Sequence, residues 1–432
     1  MSIITGIKAW MALDSRGWPT PAVRVEVAGG HALAIAPAGA STGMHEDPEL
    51  RDHDLPWEGR GVSRSIAYIN GPLAEVVVGI EASDPWALDE ALDRRRPPGG
   101  WGGNTTVAVT LAATLAEADA RSLEPWQWIA HLTGTTNPSI PMPMVNIVSG
   151  GAHAGRAIDL QDILVIPLGA RDFGEAIEMA STVRRSAALL ASRSLPLLGS
   201  LVADEGGVAA PSGSNVAALE LVAEAIDSAG LSGGVSMAVD VAATQFFHEG
   251  SYTLTADGAV LDGDALSAQL REWTAAYPIV SIEDAFAEDD WGSWSAHAKE
   301  LGCAQVIGDD LIATNAERAR RAFDTGAANC VLLKVNQAGS VGRALAVLAM
   351  ARDCGMRTVV SARSGETEQH WLSDLAVGSG AGQIKVGSTH RSERSAKWNR
   401  LLELEARYGS ELRFAGASAL ASHGDFRQGV DQ

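Results

Sequence analysis

The chain has 432 residues, 46% of them hydrophobic and 20% charged, with a formal net charge of −20. That length accommodates two domains with a large core, and the composition is that of a globular protein. The acidic balance argues against nucleic-acid or anionic-membrane partners, and no run reaches the roughly 18 apolar residues of a membrane span.

The start of the chain lacks the charged opening and apolar stretch of a secretory leader. Cys303, Cys330 and Cys354 are odd in number and have no metal-ligand spacing, so they read as reduced thiols of a cytoplasmic protein. GIKAWMALDS, PAVRVEVAG and HALAIAPAG are short strand-like runs, and Val23, Val25 and Val27 alternate onto one face. Helical patterns follow in VSRSIAYINGPLAEVV, DPWALDEALDRR, TTVAVTLAATLAEADARS and PWQWIAHLTG. Strands followed by helices predict a small α+β domain over residues 1–135. The segment TGTTNPSIPMP (133–143) marks a boundary, leaving 136–432 as the second domain.

That second part repeats one pattern. Apolar runs end in a charge at Asp240, Glu283, Asp309, Lys334, Arg363 and Lys385, in steps of 43, 26, 25, 29 and 22 residues. Helical patterns lie between the runs, as in DALSAQLREWTAA and GRALAVLAMARDC. The spacing predicts strands and helices alternating around a parallel (β/α)8-type barrel, whose strand ends converge on one mouth. The chain has only five lysines, and two of them, Lys334 and Lys385, end such runs. Arginine stays charged, whereas a lysine can lose its proton and act as a base.

The residue types point to a chemistry. Asp240, Glu283 and Asp309 are hard oxygen donors suited to Mg²⁺. A divalent ion there would hold a substrate carboxylate and stabilise the charge formed when its α-proton leaves. Lys334 is the expected base, its pKa depressed by Lys385 and the metal. Arg363 with Ser364 would hold a phosphate or phosphonate. The constellation predicts proton abstraction beside a carboxylate on a substrate carrying a second anionic group.

PAGASTGMHE, SGGAHAG, ADEGGVA, YPIVSIEDAFAEDDW, GDDLIATN, LLKVNQAGS, RSGETE, GQIKVG and RSERSAKWN together closely resemble enolase, from DSRGWPT (14–20) to FAG (414–416). The resemblance implies an enolase-type barrel capped by the N-terminal domain. It implies that Asp240, Glu283 and Asp309 hold the tight Mg²⁺. Ser41, in the GAST loop, would help bind a second Mg²⁺ as a lid closes, with Gly39 and Gly43 giving that lid backbone freedom. Lys334 would take the α-proton, Glu205 would protonate the departing hydroxyl, and Lys385 would bind the substrate carboxylate. Arg363 and Ser364 would take the phosphoryl group, with His153 on a nearby loop. Gln161 and Asp162, in DLQD, would stand beside the substrate. An even-numbered homo-oligomer, a dimer or larger, is also implied.

Departures from the enolase pattern accompany these matches. Ala362 replaces the usual histidine before Arg-Ser, Asp162 replaces a glutamate, and Arg156 replaces the second glycine of HAGG. Ala285 follows SIED in place of proline, and His390 precedes RSER. Losing volume at Ala362 and Asp162 while adding a cation at Arg156 predicts a roomier pocket for a more anionic substrate. That pattern fits the enolase-like carboxyphosphonoenolpyruvate synthases, which use a phosphoglycerate-type unit and a nucleotide-activated phosphonoformate. The alternative is a housekeeping enolase converting 2-phosphoglycerate to phosphoenolpyruvate. A non-catalytic binding relative is a third class, disfavoured because both lysines and all the acids are retained.

Overall fold

The computed structural model describes residues 2–40, 42–53, 56–194, 197–210 and 213–426. Ile4–Leu13, Pro19–Val27 and Gly30–Ile35 form an antiparallel sheet. Val23 and Val25 are fully buried and Val27 nearly so, while Arg24 and Glu26 face out, as strand alternation requires. The helix Gly103–Ala120 packs on this sheet. It comes so close that a Cβ on Gly30 would lie 2.4 Å from the Ala120 nitrogen, so only glycine fits there. The helix Pro125–Thr133 starts with a Glu124/Gln127 capping box and proline, and ends at Gly134 in the left-handed conformation.

Eight strands form the barrel: Met142–Ser149, Asp162–Ile166, Ser236–Asp240, Ile279–Glu283, Gln305–Gly308, Cys330–Leu333, Arg357–Ser361 and Gly382–Gly387. The eighth pairs with the first, Gln383 opposite Met142, and closes the ring. Met144, Leu164, Ala238, Ile307, Leu332 and Val359 fill its interior. Below them Gln305 and Gln383 exchange amide hydrogen bonds of 3.0 and 2.9 Å, so neither buried side chain is left unpaired.

The expectation of an all-parallel barrel fails at one strand. The second strand, Asp162–Ile166, runs antiparallel to both neighbours. A parallel return needs a crossover, usually helical. Residues 150–161 contain only the 3-10 turn Gly151–Ala154, so the chain doubles back instead. Asp162 therefore begins its strand at the mouth where the other strands end, directly opposite Asp240.

A buried ion network docks the two parts of the chain. Arg400, on the helix Ser392–Tyr408, donates to both oxygens of Asp374 at 2.7 and 3.1 Å and to Glu124 at 2.6 Å. Asp374 is fully buried, and Glu124 is the residue that caps the N-terminal domain's last helix. All three cysteines are free, and among the described residues no helix is long and apolar enough to cross a membrane.

Removing one partner of a buried ion pair strands the other. Arg400→Met is expected to cost about 3–5 kcal/mol and lower the melting temperature, with Asp374→Asn in the same background restoring part of the loss. A thermal melt unchanged by Arg400→Met would contradict the role given to this network.

Candidate active site at the barrel mouth

A small polar cavity opens at the strand ends, against the N-terminal domain. Gly39, Ala40, His153, Gln161, Glu205, Asp240, Lys334, Arg363, Ser364 and Lys385 line it, together with Ser361 and Ala362. Residues far apart in the chain meet there because most stand at or just past the end of a strand, while Gln161 precedes one and Glu205 lies on the loop before Val208–Ala209.

Lys385 donates to Asp240 Oδ2 and to both oxygens of Glu283, each at 2.8 Å. Lys334 contacts Asp309 Oδ2, whose other oxygen accepts from Gln337 at 2.8 Å. Burial works to discharge Lys385, but Asp240 and Glu283 outweigh it and hold the pKa well above the ordinary lysine value. Lys334 behaves alike: burial lowers its pKa, and Asp309 together with Glu283 more than reverses this. Among the protein groups, then, the expected depression of Lys334 does not occur, because a carboxylate touches the ammonium while Lys385 acts from farther away. Burial and the Asp240 charge push Glu283 in the opposite sense, well above the usual carboxylate range.

These groups fit a divalent cation. Three buried acids, Asp240, Glu283 and Asp309, face only two lysines, and burial with the crowding of their charges is what lifts the Glu283 pKa, a repulsion that a divalent cation would relieve. The three are not gathered on one point: Lys385 engages two of them and Lys334 the third. Oxygens of Asp284, Asp309 and Asp310 do lie within 4.8 Å of one another. Asp284, however, accepts the backbone amides of Asp309 at 2.9 Å and Asp310 at 2.8 Å. It thus acts as a clamp on the loop carrying Asp309, holding a left-handed φ of 44° to do so. Sequence reasoning passed over Asp284, although it directly follows Glu283 in SIED.

On the neighbouring wall, His153 Nδ1 lies 2.8 Å from Asp162 Oδ2 and its Nε2 lies 3.8 Å from Glu205. Asn146, on the first barrel strand, donates to the other oxygen of Asp162. Burial opposes the charge on His153, but Asp162 and Glu205 raise its pKa to about 9. Glu205 is held below the usual range: His153 and Arg394 overcome the effect of burial. Asn146 had no sequence signal, being one polar residue inside the apolar run MPMVNIVS. Gln161 donates to Asp240 Oδ2 at 3.1 Å, so its amide orients a carboxylate.

The remaining wall carries Arg363 and Ser364. Ser364 Oγ accepts the Ala40 amide at 2.6 Å, and Ala38 bridges Gly365, so the N-terminal domain is stitched to this loop. Arg394 is completely buried and donates to the carbonyls of Arg363 at 2.6 Å and Val386 at 3.0 Å, fixing the loop from beneath. Ser41 lies outside the described residues. Arg156 departs from its expected position: it is exposed, is not among the cavity-lining residues, and holds a left-handed φ of 58° in the turn after His153. Its backbone keeps the glycine-type turn, which directs the side chain to the surface.

Residues 4–129 match the family model for the enolase N-terminal domain, and residues 137–423 match that for the enolase C-terminal TIM barrel domain. The chain belongs to the enolase family. It is an enolase-superfamily enzyme, and the Mg²⁺ typical of the family has acidic clusters that could hold it here. Ala362, which stands where the enolase pattern has a histidine, lies in the cavity wall. Asp162, one methylene shorter than the usual glutamate, still reaches His153.

A histidine with its pKa raised from 6.5 to about 9 contributes stability that is fully present below pH 6.5. That contribution fades as pH rises through 9. NMR titration of His153 in EDTA-treated protein is expected to show a midpoint near 9, and Asp162→Asn should lower it by about one unit or more. An unmoved midpoint would mean that Asp162 does not hold the charge.

Proposed function

We propose that this enzyme removes the α-proton of a phosphoglycerate-type carboxylate with Lys334 and expels the β-hydroxyl with help from Glu205. The observation that carries the reading is that one cavity is lined by both Lys334 and Glu205 and also by Lys385 and Asp240. Asp240, Glu283 and Asp309 would hold Mg²⁺, which when bound neutralises the substrate carboxylate and the charge that grows on it. Were Asp309 to hold the ion, Lys334 would lose the partner that keeps it protonated, and its Nζ would be free to accept the α-proton. The C–H bond breaks, its electrons pass to the carboxylate, and their return forms the C=C bond as the C–O bond breaks. The hydroxyl leaves as water with a proton relayed through Glu205 from the protonated His153, whose Nε2 lies 3.8 Å away, because Glu205 by itself is held ionised. Arg363 and Ser364 would hold the phosphoryl group. The site's residues suit an anionic small molecule, and the family resemblance leads us to propose a cytoplasmic, even-numbered homo-oligomer.

For the substrate, we favour a specialised branch of the carboxyphosphonoenolpyruvate synthase kind, with a nucleotide-activated phosphonoformate as the second substrate. Its support is Ala362 in the cavity wall and the shortened Asp162. Arg156 contributes no support, since it stands at the surface. The ordinary dehydration of 2-phosphoglycerate is the second reading, favoured by the intact His153–Asp162 contact.

Activity should vanish with EDTA and return with Mg²⁺, and Lys334→Arg should lose about 10²–10⁴-fold in rate while remaining folded. Retention of more than about a tenth of the rate, or continued exchange of the α-proton with deuterium, would remove Lys334 as the base.

The wild type is expected to dehydrate 2-phosphoglycerate well below about 10² s⁻¹. Refilling the pocket with Ala362→His and Asp162→Glu should speed that reaction and slow any reaction with the phosphonoformate donor. A wild-type dehydration rate already at that level would make this an ordinary enolase.

A further inference from the structure

Arg363 is gripped from outside the cavity by a residue to which the mechanism gives no part. Glu46 lies on the N-terminal-domain segment just after the GAST motif, and its side chain is only 8% exposed. It accepts Nη1 of Arg363 at 2.8 Å and Nη2 at 3.2 Å. It does not line the cavity; it borders two outer grooves instead. Gly43 donates its backbone amide to Glu46 at 3.1 Å, and Gln337 donates at 3.5 Å. Because Gln337 also donates to Asp309, a continuous polar chain runs from Arg363 through Glu46, Gln337 and Asp309 to Lys334.

The segment has anchors of its own. Met44 donates its backbone amide to Glu288 at 2.9 Å, and His45 lies 3.0 Å from Asp289. A carboxylate fixed in this way does two things to the guanidinium. Its two oxygens set the plane of the fork, and its charge offsets that of the arginine in a poorly screened location.

We propose that Glu46 is a positioning residue for Arg363: it fixes the guanidinium from behind, offsets its charge, and so sets how strongly the site holds the anionic group of the substrate. The inference rests on the reading of Arg363 as the holder of that group.

Inorganic phosphate is the probe, titrated calorimetrically into the full-length protein and its variants. Glu46→Gln keeps the shape and removes the charge, so it should bind phosphate about fivefold tighter or more, while kcat falls because the fork is no longer held by two oxygens. A purely structural role would weaken both. Glu46→Asp keeps the charge, so its phosphate affinity should stay within about twofold of wild type even as kcat falls. Phosphate binding that is unchanged or weaker in Glu46→Gln, or equally tight in both variants, overturns the proposal. Arg363→Gln tests the underlying reading separately: it should lose most of the phosphate affinity, and if it binds as wild type does, Arg363 is not the anion holder.

Discussion

The site depends on the pairing of two buried lysines with three strand-end carboxylates. Lys385 joins Asp240 and Glu283 on adjacent strands, and Lys334 joins Asp309 on the next strand round. Charges this deeply buried persist only when matched and hydrogen-bonded. The lysines let the acids stay together, and the acids keep the lysines charged. With all three acids ionised, the cluster carries one negative charge more than its lysines offset, a surplus that a bound cation would relieve.

Around this centre, the supporting groups all hold something else in place. Asp284 clamps the amides after the fifth strand, Arg394 ties down the carbonyl of Arg363, and Asn146 fills the second oxygen of Asp162. Each is buried and each satisfies backbone or side-chain groups that would otherwise be orphaned. The same device reaches the N-terminal domain, where Ala40 and Glu46 take their partners from the loop carrying Arg363 and Ser364. The capping domain is thus part of the cavity wall, and its docking through Glu124 and Arg400 bears on the chemistry as well as on stability.

The reversed second strand shows how a local constraint produces a functional position. A short connection forces the chain to double back, and the first residue of that strand arrives where the others deliver their last. Asp162 then meets His153 from the preceding turn, and the pair faces Glu205 from a third loop.

The two-part architecture, the barrel period and most of the site are legible in the residue order, because a charge that ends an apolar run can be read from spacing alone. Asp240, Glu283, Asp309, Lys334, Arg363 and Lys385 all meet at the mouth for that reason. The features that emerge with the folded chain depend on direction and distance. The antiparallel strand, the surface position of Arg156, the raised pKa of Lys334 and the grip of Glu46 on Arg363 belong here. A strand pattern has the same period whichever way the strand runs, and a turn residue does not announce which side it faces. The sign of a pKa shift likewise rests on which opposite charge lies in contact, and contacts between residues hundreds of positions apart exist only once the barrel has closed.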